Sequence, residues 1–157
     1  MGDRQRARLH LRSAFPHGFA ALTELGAAVD AAGLEPRLVE LVRIRASQLN
    51  GCDSCLDLHL RRAADLGETD ERVRSLAGWR EAGEFSPRER AALELTEAVT
   101  LVAGRGVDDG QVAAARLHFD EAELVRLVFV IAHINAWNRL AITAGSPVAG
   151  GAPAPSG

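Results

Sequence analysis

Apolar residues recur in this chain at three- and four-residue intervals almost from end to end, and no run alternates strictly between apolar and polar. That spacing lays apolar stripes along helices and leaves nothing from which to build a sheet. β-Branched residues are sparse, which agrees. The expected fold is therefore all-α, a single-domain bundle of about six to seven helices. The chain has 157 residues, enough to bury one real core. The domain is expected over 1–145, and the small, Pro/Gly-rich "SPVAGGAPAPSG" at 146–157 reads as a disordered tail.

Breaks in the pattern place the helices. A first helix is expected over 18–32, with Phe19, Leu22, Gly26 and Val29 on one face. "GLEP" interrupts it, and Pro36 sits where a helix accepts proline, in its first turn. The second helix then runs over 36–50 and buries Leu38, Leu41, Val42, Ala46 and Leu49. Asn50 and Gly51 end it, since both tolerate the left-handed conformation of a helix C-terminus. A third helix over 52–66 is closed by Gly67, and Thr69 or Asp70 caps a fourth that reaches Trp79. Ser86, Pro87 and Glu89 form a strong start signal for a fifth, over 87–103. A short helix near 111–118 precedes a long last one, capped by "DEAE" at 120–123 and ended by Gly145. That last helix is apolar on most faces, which supports packing between copies of the chain as well as burial at a bundle centre.

Composition excludes several classes of function. The formal charge is only −3, every basic side chain is an arginine, and the arginines alternate with Asp and Glu along amphipathic segments. No basic face for nucleic acid is expected. "MGDRQRARLHLRSAF" has no apolar core of a secretory signal. The longest apolar run, "LVRLVFVIAHINAW", carries Arg126, His133 and Asn135 and is short of a membrane span. No membrane contact and a cytoplasmic, reducing location are the expectations. In that compartment a cysteine pair points to catalysis or metal binding before a structural staple.

The only two cysteines stand in "LNGCDSCLDLHL" at 49–60. On a helix, Cys55 and His59 are an (i, i+4) pair and share a face. Cys52 lies one turn earlier, within reach of a disulfide. Free amides at the helix N-terminus stabilise an anion and favour Cys52 as the reactive thiolate. His59 can take the proton of Cys55 and favours that residue instead. The spacing leaves the choice open. Glu40 lies ten residues before Asn50, and His59 seven after Cys52. A tight fold-back at "NG" would bring the two to comparable heights, where a carboxylate could orient His59 or pass a proton to solvent. Zinc has suitable donors here, but the histidine follows too closely for a finger and there is no second Cys/His pair. No metal or cofactor is expected.

Glu40, an eleven-residue gap and then C-x-x-C-x-x-x-H resemble the core of the alkylhydroperoxidase D (AhpD)-like proteins of the carboxymuconolactone decarboxylase superfamily. The surrounding "ELVRIRASQLNGCDSCLDLHLRRAADLGE", "GWRE", "FSPRERAALELTEAVTLV" and "INAWNRLAI" are similar to the smaller bacterial members. The resemblance spans about residues 15–145. It implies an AhpD-like helical fold, assembly as a trimer or a hexamer, and a thiol-dependent peroxidase or disulfide reductase activity. By position it makes Cys55 the peroxidatic cysteine and Cys52 the resolving one, with His59 and, farther out, Glu40 as the proton relay. The expected partners are a small-molecule peroxide and an external dithiol or a thioredoxin- or lipoyl-type reductant. Two departures stand out. Ser54 occupies the place of a histidine in the alkylhydroperoxidase D enzymes proper, and the chain holds one copy of the helical core. The decarboxylase branch generally lacks the CxxC pair, which disfavours lactone decarboxylation.

Outside that segment, His133 reads as a hydrogen-bonded core or interface histidine. Asn135, Trp137, Asn138 and Arg139 read as a subunit contact or a structural hydrogen-bond cluster, and Trp79 as core or interface.

Overall fold

A computed structural model describes residues 7–145. Among them there are nine α-helices and no strand: α1 (Leu11–Ala14), α2 (Pro16–Asp30), α3 (Pro36–Asn50), α4 (Asp53–Asp65), α5 (Asp70–Ser75), α6 (Pro87–Thr100), α7 (Val102–Arg105), α8 (Asp109–Arg116) and α9 (Glu121–Ala144). The all-α expectation holds. The expected tail, 146–157, lies outside the described residues.

The helix count exceeds the expected six to seven, and the excess has a simple origin. Helices α1 and α7 have four residues each, too short to carry a periodic signal. Helix α7 is the end of the expected fifth helix, severed where Leu101 leaves the helical region at φ −98° and ψ 22°. The expected fourth helix is α5 followed by a single 3₁₀ turn, Leu76–Gly78. Helix α2 starts two residues before its expected position because Pro16, like Pro36 and Pro87, occupies a first-turn site where its missing N–H costs nothing.

Side-chain caps fix the starts of α5, α6, α8 and α9. Ser86 and Glu89 form the reciprocal capping box at α6, and Asp120 with Glu123 does so at α9. A third box, Asp108 with Gln111, opens α8. Each satisfies two backbone donors that the helix itself leaves unpaired.

Helix α3 is the spine. It packs against α4, α6 and α9, and its residues divide between two apolar clusters. Leu38, Val39 and Val42 join Val29, Leu95, Leu127, Val130 and Ile131. Leu41 and Ile44 join Leu76, Trp79, Phe85 and Leu93. Because α3 is enclosed on several sides, its polar residues Glu40, Arg43 and Ser47 are buried as well, and each must find a partner inside the protein. Leu49, expected in the core, is only half-buried.

Helix α9 is longer and more apolar than its interrupted sequence suggests, and by length and composition it could cross a membrane. More than half of that stretch (56%) is buried inside the fold, so its apolar character serves the bundle centre. It packs on α2 closely. At Gly26 a Cβ would come within 2.8 Å of the His133 ring, so glycine there sets how near the two helices lie.

Candidate thiol site

Gly51 makes the site possible. It adopts the left-handed conformation (φ 67°), and the Cys52 amide then donates to the Ser47 carbonyl, 3.0 Å away. This closes the end of α3 and turns the chain straight into α4. Asn50 is the last helical residue, so glycine alone takes the left-handed position.

Cys52 is the N-cap of α4, and Cys55 lies in its first turn. The two are joined as a disulfide, with Cα atoms 5.3 Å apart. Both are nearly enclosed, at 2% and 5% exposure, and they pack on Ala141 of α9. The Ser54 hydroxyl lies 3.8 Å from the Cys52 sulfur. On the next face of α4, Leu56 and Leu60, with Val73, line a cleft of about 320 Å³ whose rim also carries Glu68, Asp70 and Arg74.

His59 follows Cys55 by one helical turn and is buried. Its Nδ1 lies 2.7 Å from Glu40 Oε2. The fold-back at Gly51 thus brings Glu40 and His59 together, as the register of the two segments implied. Burial alone would raise the Glu40 carboxyl, but the His59 hydrogen bond and the charges of His59 and Arg43 outweigh it, leaving Glu40 below the ordinary 4.5. For His59, burial dominates and holds the imidazole below 6.5 although Glu40 pulls the other way. The pair at neutral pH is a carboxylate and a neutral imidazole. The carboxylate accepts the Nδ1 proton and leaves Nε2 with its lone pair.

Glu40 is itself buried, so it does not meet solvent directly. Its other oxygen, Oε1, accepts a hydrogen bond from Arg43 Nη1 at 2.8 Å. Arg43 is 3% exposed, and its Nη2 donates to Asp30 Oδ1 at 2.5 Å. Arg43 did not stand out in the sequence, where "ELVRIR" reads as an ordinary amphipathic repeat. The available signal was its position three residues after Glu40, on the same face of the helix.

The polar residues of α9 form a second cluster. The Asn50 amide donates to Asn135 Oδ1 and to Asn138 Oδ1, each at 2.9 Å. Asn138 donates to the Ser47 hydroxyl at 3.1 Å, and Asn135 to the Thr100 hydroxyl at 3.0 Å. Arg139 reaches back to Asn135 at 2.8 Å. Trp137 donates to His133 Nε2 at 2.9 Å, the same nitrogen that lies 3.0 Å from the Leu22 carbonyl. These groups are an internal hydrogen-bond cluster that ties α9 to the end of α3. Trp79 is a core residue. Among the described residues no three His, Cys, Asp or Glu side chains gather as metal ligands.

The model of the carboxymuconolactone decarboxylase family matches residues 16–98, a span that contains the whole thiol site. The uncharacterized protein YdfG of Bacillus subtilis is 38% identical over 134 residues, which is 85% of this chain and 91% of YdfG. The crystal structure of ATU0492 from Agrobacterium tumefaciens, a protein of unknown function placed provisionally with the antioxidant defence protein AhpD, superposes with a TM-score of 0.86. It is 34% identical and the match covers 90% of this chain and 97% of that one. An uncharacterized peroxidase-related protein from Silicibacter sp. TM1040 has a TM-score of 0.72 at 19% identity, covering 81% and 68% of the two chains, and shares the fold alone.

Proposed function

Because this chain belongs to the carboxymuconolactone decarboxylase family, in which a CxxC pair accompanies thiol chemistry, we propose that it is a thiol-dependent peroxidase. The observation that carries the reading is the buried His59–Glu40 hydrogen bond of 2.7 Å one helical turn from Cys55. It gives a thiol a neutral imidazole whose tautomer is already set.

In the reduced protein the Cys55 thiolate attacks the O–O bond of a peroxide. The sulfur becomes a sulfenic acid, and the departing alkoxide takes a proton delivered through His59. Cys52 then attacks the sulfenic sulfur and releases water, forming the Cys52–Cys55 disulfide, whose Cα atoms lie 5.3 Å apart, within the usual span of such a bond. An external dithiol, of thioredoxin or lipoyl type, reduces that disulfide by exchange and completes the cycle. No cofactor takes part. We place the enzyme in the cytoplasm as a homo-oligomer, trimer or hexamer. The exposed Val125, Val128, Phe129 and Leu140 along α9 support the assembly.

Peroxide consumption by the purified protein with dithiothreitol tests the reading. Wild type is expected to turn over and Cys55→Ser to lose at least about a hundredfold in rate, the scale of removing a nucleophile. Equal rates would overturn the assignment. The alternative, a disulfide reductase or thiol relay in a stress response, uses the same residues. It is favoured instead if the reduced protein reacts faster with a disulfide than with a peroxide. A scaffold with a vestigial site would react with neither.

A further inference from the structure

The Glu40–His59 pair has a third member that spacing did not reveal. Arg43 is as deeply buried as Glu40 (3% against 4%), and a guanidinium is not left there without anions. It has two, one on each side. Nη1 donates to Glu40 Oε1 at 2.8 Å, while Nη2 donates to Asp30 Oδ1 at 2.5 Å. Asp30 is the last residue of α2, and its side chain is 40% exposed. An unbroken line of hydrogen bonds therefore runs from His59 on α4, through Glu40 and Arg43 on α3, to Asp30 at the surface.

We propose that Arg43 is a positioning residue of the thiol site: it keeps Glu40 a carboxylate, so that His59 retains its Nδ1 proton and acts through Nε2, and Asp30 tunes it from the surface. The proposal rests on the thiol reading of Cys55, though not on peroxide being the oxidant. Its physical basis is the competition at Glu40. A carboxyl buried at 4% exposure is driven towards the neutral acid, and a protonated Oε2 would donate to His59 Nδ1 and turn the imidazole round. The His59 hydrogen bond opposes this on one oxygen and the Arg43 charge opposes it on the other; of the two, the arginine remains charged at every working pH. Two further titratable groups bear on this line: His133, across on α9, which responds to Arg43, Asp30 and His59, and Arg62 on α4, whose charge acts on His59.

The test reads the thiol and not the peroxide. In the full chain carrying Cys52→Ser, the rate of alkylation of Cys55 by iodoacetamide is followed against pH. Arg43→Leu removes the positive charge and is expected to raise the midpoint by about one pH unit, so that alkylation at neutral pH slows about tenfold. Arg43→Lys restores the charge and returns the midpoint towards that of the parent. Asp30→Asn exposes Glu40 and His59 to an arginine with one anion fewer, so its midpoint moves down, by less. A structural role for Arg43 predicts no such opposed pair of shifts. An unchanged midpoint in a folded Arg43→Leu protein, verified by circular dichroism, overturns the proposal. If Arg43→Leu does not fold, Asp30→Asn decides: a lowered midpoint supports the proposal, and an unchanged or raised one overturns it. Shifts as expected in a protein that consumes no peroxide would sink the peroxidase reading and leave Arg43 in its role. Peroxide turnover with unmoved midpoints would do the reverse.

Discussion

Two largely buried polar clusters gather along α3, and they are built from different chemistry. Towards the middle of the helix, Asp30, Glu40, Arg43 and His59 are ionisable groups in a row. At its C-terminal end, Ser47, Asn50, Asn135 and Asn138 are neutral hydroxyls and amides. Both satisfy the same rule, that a polar atom removed from water must be paired. They differ in what they can do once paired. The amides hold one arrangement at any pH, which suits a joint between helices. The ionisable row has groups that can change charge, and on the proposed reading it serves the cysteines one helical turn from His59. The lesson is that burial and hydrogen bonding are common to both clusters, and the capacity to change charge is what separates them.

Three substitutions sharpen or break that contrast, in order of expected size. Glu40→Ala removes one partner of a buried ion pair and leaves Arg43 facing only Asp30, at a cost of about 3 to 5 kcal/mol in denaturant unfolding at neutral pH. The cost is expected to depend on pH. Glu40 binds its proton more weakly folded than unfolded, so its contribution is present above the ordinary 4.5 and is lost as pH falls through its lower folded value. The gap between wild type and Glu40→Ala therefore narrows on acidification below 4.5. His59, also depressed by burial, adds its own loss of stability as pH falls from 6.5. Asn138→Ala breaks the neutral cluster: Asn138 is fully buried and bonds Ser47 and Asn50. A loss of about 2 to 3 kcal/mol is expected, since the fully buried Ser47 loses its donor while Asn50 keeps Asn135. That loss should be the same at pH 4 and pH 7. A pH-dependent cost at Asn138, or a flat one at Glu40, breaks the comparison. Gly26→Ala is the mildest, about 1 to 2 kcal/mol in a thermal melt, because the new methyl group must push the His133 ring aside. It should leave the alkylation profile of Cys55 in place.

Sequence gave access to these regions unequally. The hairpin was legible because its signals are local: Pro36 and Gly51 bracket α3, and Cys55 and His59 share a face by spacing alone. Glu40 was legible because the turn is short, so that counting residues from it measures height. The Ser86–Glu89 box was written in four letters. Arg43 was hidden for a physical reason. Along an isolated helix an arginine reads as a solvated residue, and only the packing of α4, α6 and α9 around α3 takes it out of water. The Asn50–Asn138 bond joins residues 88 positions apart, a pairing that no periodicity encodes. Helices α1 and α7 escaped notice because one turn has no period.

Glu40 and His59 are only 19 positions apart, and both cysteines lie between them. Closing so short a loop takes little chain entropy, and contacts of low sequence separation are the ones that form fast. The reactive groups can meet as soon as α3 and α4 pair, while α9 and its amides must arrive from far along the chain. The candidate site thus belongs to one hairpin, and the amide joint to α9 is expected to form after it. Lengthening a loop between α5 and α9 would delay that second step without disturbing the first.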